Sequence, residues 1–293
     1  MPAVIVVALV LALAGGGTGE TSPQQDSTPA SATTTRADRF DSARAWKHVK
    51  YQVGLGRRPA GSPQLAKLAA YLRDRLPRGH YENVPGHPGL RNVVGRIPGS
   101  KPAVVLAAHY DTKDLPGFVG ANDGAGGTAA VLEISRALRK LERPKGAPEI
   151  RFVFFDGEEA TDDSKPFEAT ALRGSKAYLD RHGDELRALV LMDFVAEKGE
   201  MRIPREAGSD AGIWRRLRAA ARRVGSAQAF PPGVIGEVTD DHTPFARAGI
   251  PAVDLIDFTF PCWHKTCDDL SAVSERSLDL SGEAVLELMR SWR

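Results

Sequence analysis

Ala103-Val104-Val105-Leu106-Ala107-Ala108-His109-Tyr110-Asp111 places an unbroken apolar run directly before a histidine and an acid. Its first six residues are apolar without alternation, so they predict a strand buried on both faces, in a sheet covered on both sides. The run then delivers a histidine and an aspartate at its carboxyl end. The pattern recurs along the chain. Residues 150–155 form a second buried strand before Glu158-Glu159, residues 189–192 a third before Asp193, and residues 252–256 a last one before a loop holding Cys262 and His264. A strand over 92–97 is expected beside 103–108, joined to it by the turn Pro98-Gly99-Ser100. Helical spacing appears between these runs: Leu65, Leu68, Leu72 and Leu76 in 64–76, and Val131, Ile134, Leu138 and Leu141 after the loop 111–127. Further helices are expected over 174–184, 211–224 and 277–292. This alternation predicts an α/β fold, a three-layer sandwich around a mixed, mostly parallel sheet.

The chain has 293 residues, 42% of them hydrophobic, enough for one sizeable domain. Residues 2–14 are almost wholly apolar and 15–20 small and polar, which reads as a signal peptide over 1–20 and an exported, periplasmic or extracellular protein. Thirteen apolar residues are short for a membrane span, so no stable membrane partner is expected. Residues 21–37, rich in Ser, Thr and Pro, read as a disordered leader, leaving 38–293 as a single folded domain. With 39 basic and 37 acidic groups the net charge is only +2, and no long basic run lies beside exposed aromatics, so nucleic acid is excluded as a partner. The arginines of 214–223 read as the solvated face of a helix that buries Ile213, Leu217 and Ala220. Gly124-Ala125-Gly126-Gly127 lacks the lysine and spacing of a phosphate-binding loop. In an exported chain Cys262 and Cys267 would form a local disulfide clamping the His264 loop; two buried thiols are the alternative.

In open α/β sheets ligands collect beyond the carboxyl ends of the strands, where His109, Asp111, Glu158, Glu159 and Asp193 fall. Zinc accepts this mixture of imidazole and carboxylate. Each residue has a duller role open to it, Asp123 as a helix N-cap and the glutamates as first-turn carboxylates. Together, however, converging carboxylates repel unless a cation or proton compensates them.

The strings AAHYDTK (107–113), FVGANDGAGG (118–127), FFDGEEA (154–160), LVLMD (189–193), DDHTPFARAGIPAVDLI (240–256) and WHKTCDD (263–269) closely resemble the M28 metallopeptidase family, in particular its glutaminyl cyclase branch. That resemblance implies a zinc-dependent exopeptidase-like fold and peptide substrates with a free N-terminus. In cyclases of this kind Asp123, Glu159 and His264 would hold a single zinc, with Glu158 as the proton carrier. In a two-zinc aminopeptidase Asp123 would bridge, His109 and Asp193 completing the second site. Asp111 would support His109, Asp193 and Asp241 would orient the reacting amine or amide, and Trp263 would wall a substrate pocket. The expected activity is cyclisation of N-terminal glutamine to pyroglutamate with release of ammonia. Hydrolysis of N-terminal residues is the alternative, and an exported binding protein with a dead site is a third reading.

Overall fold

A computed structural model describes residues 39–292; the signal-peptide and leader expectations for 1–37 lie outside the described residues. Eight strands are present among them: β1 (His80–Asn83), β2 (Arg91–Ile97), β3 (Ser100–His109), β4 (Pro148–Phe155), β5 (Leu186–Met192), β6 (Arg205–Glu206), β7 (Val234–Ile235) and β8 (Ala252–Leu255). The helices are α1 (Ser42–Gly54), α2 (Pro63–Arg73), α3 (Ala125–Arg139), α4 (Phe167–Thr170), α5 (Arg173–His182), α6 (Ala211–Arg223), α7 (Thr243–Arg247) and α8 (Glu275–Arg290). Side-chain caps explain several starts. Asp41, Ser62, Asp210 and Ser274 each accept a hydrogen bond from a backbone N–H of the first turn, in α1, α2, α6 and α8.

The main sheet has six strands in the order β1-β2-β4-β3-β5-β8. β3 runs parallel to β4 and β5, and β5 parallel to β8, while β1 and β2 join antiparallel. β6 and β7 form a separate short parallel pair. One expectation is corrected: β2 and β3 are not neighbours, because β4 inserts between them and pairs with both. A short turn between two apolar runs looks locally like a hairpin. Here β2 runs antiparallel and β3 parallel to the same strand β4, so the two runs are themselves antiparallel yet not paired, an arrangement that no local pattern encodes.

Alternation along the central strands divides the core. Val104, Leu106 and Ala108 of β3 pack with β4, β5 and β8 residues against α1, α2, α3, α6 and α8. Ala103, Val105 and Ala107 face the opposite layer, built on Tyr178 of α5 and Phe245 of α7. Burial on both faces is what the unbroken apolar run required.

The glycines at the start of α3 serve packing. A Cβ on Gly127 would lie 1.9 Å from the Met192 carbonyl oxygen and 3.3 Å from the Ala108 Cβ, so the first turn of α3 presses directly on the ends of β5 and β3. This close approach brings Asp123, just before α3, to the carboxyl ends of the central strands. Gly127→Ala is therefore expected to lower unfolding free energy by about 2–3 kcal/mol, the scale of overpacking a tight core. Urea denaturation measures it, and an unchanged midpoint would contradict the packing role.

Candidate metal centre and active site

Each loop that leaves a central strand contributes to one site. β3 ends at His109, with Asp111 two residues on; β4 is followed by Glu158 and Glu159, β5 by Asp193, and β8 by the loop carrying His264. That loop is closed by a disulfide between Cys262 and Cys267, with Cα atoms 5.4 Å apart, which decides between the two readings of the cysteines. His264 sits at φ +50°, a left-handed conformation costing a non-glycine residue about 1 kcal/mol, and the disulfide ring holds it there. Asp123 is free for another role because the N-cap of α3 is Gly124 and no side chain caps the helix.

Two ligand sets share Asp123. In the first, His264 Nε2 lies 3.3 Å from Glu159 Oε2 and 3.6 Å from Asp123 Oδ2. In the second, His109 Nε2 lies 3.1 Å from Asp193 Oδ1 and 3.3 Å from Asp123 Oδ1. Oxygen and nitrogen ligands at about 2.0–2.1 Å from a tetrahedral zinc stand about 3.3 Å from one another, so both sets have the spacing of a metal site. The carboxylates of the first set also fit by their lack of other partners: Asp123 Oδ2, and Oε1 of the Glu159 carboxylate, are buried without a hydrogen bond. An unsatisfied buried polar atom costs about 1–3 kcal/mol, which a cation among them removes. Asp111 lies beneath, accepting the backbone N–H groups of Glu158 (3.2 Å) and Glu159 (3.3 Å) and approaching His109 Nδ1 to 3.7 Å. It thereby sets the directions of both glutamates and of the histidine.

The electrostatics follow from crowding. Burial, and then the Glu159 charge, pushes the Glu158 carboxyl well above the usual carboxylate range. Burial and Asp123 push Glu159 up to about 7 against the pull of His264. Burial alone would lower His109, but the carboxylates of Asp111, Asp123 and Asp193 outweigh it and raise the imidazole well above its ordinary value. Burial raises Asp193 well above its usual range, with His109 opposing.

Above these groups opens a cavity of about 610 Å³. Asp123, Glu158, Glu159, Asp193, Asp240 and His264 form its acidic floor, and Phe194, Ile256, Phe258 and Trp263 an apolar wall. Trp263 lies over His264, ring centroids 4.7 Å apart and planes 30° from parallel, and is 45% exposed toward the opening. The structure places Asp240, rather than the expected Asp241, on the cavity wall; Asp241 is fully buried and does not border the cavity. Two adjacent aspartates point in different directions on a turn, and the doubled acid gives no sign of which one faces inward. A third buried set of Asp240, His242 and Asp254 lies within ligand distance as well, with Glu206 3.3 Å from His242. Sequence reading passed over Asp254 and Glu206, although an aspartate inside the apolar run Ala252-Val253-Asp254-Leu255 was the available signal.

Residues 92–289 match peptidase family M28. A mouse glutaminyl-peptide cyclotransferase-like protein is 31% identical over 212 residues, covering 60% of this chain and 54% of the relative. Among solved structures, an Acidobacteriales bacterium glutaminyl cyclase superposes with a TM-score of 0.75 at 30% identity, covering 93% of this chain and 98% of that one. A leucine aminopeptidase precursor from Bacteroides thetaiotaomicron superposes with a TM-score of 0.78 at 26% identity, covering 89% and 100%. The chain spans 54% to 62% of the length of the first curated relatives it matches. With strand-end side-chain sets able to hold a metal ion, a mixed sheet and a match over most of its length, the chain belongs to peptidase family M28.

Proposed function

We propose that the chain is a glutaminyl-peptide cyclotransferase, converting the N-terminal glutamine of peptides to pyroglutamate with release of ammonia. The observation that carries this reading is the indole of Trp263 laid over His264 beside a floor of Glu158, Asp193 and Asp240. Such a wall confines a small side-chain amide next to the ligand set, and the buried carboxyls supply the proton traffic that cyclisation needs. The 30% identity to a bacterial glutaminyl cyclase over nearly the whole of both chains supports it.

Asp123, Glu159 and His264 would hold zinc, which supplies Lewis acidity toward the substrate carbonyl when bound. Glu158 would take a proton from the α-amine as its nitrogen bonds to the side-chain amide carbon. It would return a proton to the amide nitrogen as that C–N bond breaks, and the nitrogen leaves as ammonia. Asp193 and Asp240 border the same space and would orient the amine and amide; His109 holds Asp193 at 3.1 Å. Asp241 would back Asp240 from the interior. The partners are peptides with a free N-terminus. Among the described residues no helix is long and apolar enough to cross a membrane. The Cys262–Cys267 disulfide supports export to an oxidising compartment.

A second reading, hydrolysis of N-terminal residues by an aminopeptidase, is favoured by the His109, Asp123, Asp193 set and by the likeness to a leucine aminopeptidase precursor. There Asp123 would bridge two metals and Glu158 would deprotonate the attacking water. A binding protein with a dead site has no such support, since every expected ligand and proton-carrier position is filled.

Gln-Xaa and Leu-Xaa dipeptides separate the two activities by mass spectrometry and ammonia assay. The expected outcome is a product lighter by one ammonia from Gln-Xaa and no reaction of Leu-Xaa; free amino acid release would contradict the proposal. Glu158→Gln is expected to lower kcat by about 100-fold or more, the typical contribution of a positioned acid/base, while zinc content is retained. Turnover near wild type would remove Glu158 from the mechanism.

Zinc binding also has a pH signature. Without metal, Glu159 lies at about 7, and His264 is raised because Glu159 and Asp123 outweigh its burial. Both must lose a proton to bind, so protons compete increasingly as pH falls through 7. Chelator-competition titrations should show zinc affinity falling about tenfold or more per pH unit below neutrality. Equal affinity at pH 8 and pH 5 would show that these two residues are not the ligands.

A further inference from the structure

We infer that Arg58 is a positioning residue for the metal centre: its buried side chain fixes the loop that delivers Asp123 and so sets the affinity for zinc. The inference rests on the reading of Asp123, Glu159 and His264 as zinc ligands.

Arg58 lies between α1 and α2 and has no exposed surface, the largest side chain so enclosed among the described residues. A buried cation needs strong compensation. Arg58 directs its donors at main-chain carbonyls from two segments: Nη1 donates to Gln52 (3.0 Å), Gly56 (2.9 Å) and Val119 (2.8 Å), and Nη2 to Gly120 (3.2 Å). Its own backbone is paired with Thr112, which accepts at Oγ1 from the Arg58 N–H (3.0 Å) and donates its N–H to the Arg58 carbonyl (3.2 Å). The side chain thus joins the end of α1 to the 119–120 turn, while the Arg58 backbone ties both to the exit of β3.

The same turn is gripped from its other side. The Asp268 carboxylate accepts the N–H groups of Asn122 (2.8 Å) and Asp123 (3.0 Å), and the Asn122 side chain accepts from the Ala196 N–H (2.9 Å). Between the two grips, Gly120 sits at φ +52°, and a Cβ there would lie 2.3 Å from the Asp123 carbonyl oxygen. The turn is therefore so tight that a shift at Gly120 passes to Asp123. Burial lowers the guanidinium only to about 10, because the charges of Asp268, Asp123 and Asp111 oppose it, so it stays cationic at neutral pH. A lysine would keep the charge, but its three donors radiate from one point and cannot span carbonyls on two segments as the planar fork does.

The test measures zinc dissociation constants by chelator competition, with metal-free melting temperatures alongside, for wild type, R58K, R58M and R151K. Arg151 is a control of the same kind, a buried arginine paired with Glu149 and Glu185. R58K is expected to weaken zinc binding at least tenfold and R58M more, while R151K stays within twofold of wild type at a similar loss of melting temperature. Wild-type zinc affinity in R58K, or equal weakening in R151K, would overturn the inference. Should R58K not fold, D268N releases the same turn from its other side, and unchanged zinc affinity there would overturn it instead. A wild-type chain that binds no zinc would defeat the underlying metal reading, an outcome the same titration separates from failure of Arg58 alone.

Discussion

Carboxylates crowded at the carboxyl ends of parallel strands are the constraint on which the rest of the structure depends. Asp123, Glu158, Glu159, Asp193 and Asp240 all border one cavity and are all buried, and Asp111 lies directly beneath them. Such groups cannot all be ionised in a low-dielectric interior without a cation. Two imidazoles meet part of that need, and the remaining unpartnered donor atoms of Asp123 and Glu159 mark where a metal belongs. Charge that would destabilise an ordinary core would, in the proposed reaction, give metal affinity and supply the proton carriers beside it.

Holding these groups in place is the work of contacts away from the cavity. The start of α3 touches the β5 main chain at Gly127, which sets how far Asp123 advances toward the strand ends. Asp111 orients Glu158 and Glu159 through their backbone N–H groups, and Arg58 and Asp268 grip the turn before Asp123 from opposite sides. The disulfide keeps the His264 loop over the site. The ligands come from four loops separated widely in the chain, so a rigid sheet with short strand exits is the element that makes them one site.

Much of this was legible before any coordinates. An unbroken apolar run such as 103–108 has only one comfortable environment, the centre of a covered sheet, and the acids and histidines immediately after each run mark the strand exits. The order of strands was not legible, because β4 inserting between β2 and β3 is decided by the crossover through α3 rather than by any local pattern. α1 was also passed over, its mixed surface carrying few large apolar residues. In the site, residue types that chemistry demands were visible, but direction was not: which of Asp240 and Asp241 faces the cavity depends on one backbone rotation. Arg58 was hidden for another reason, since an arginine in a proline- and glycine-rich turn reads as exposed until its four carbonyl partners are seen.

In the proposed cyclotransferase a single zinc would sit among Asp123, Glu159 and His264 while His109 stays hydrogen-bonded to Asp193. Anomalous diffraction at the zinc edge from crystals of the zinc-loaded protein tests it most directly. The expected result is one peak within bonding distance of those three side chains, with the His109–Asp193 hydrogen bond intact. A second peak between His109, Asp123 and Asp193, or an empty first site, would contradict the account.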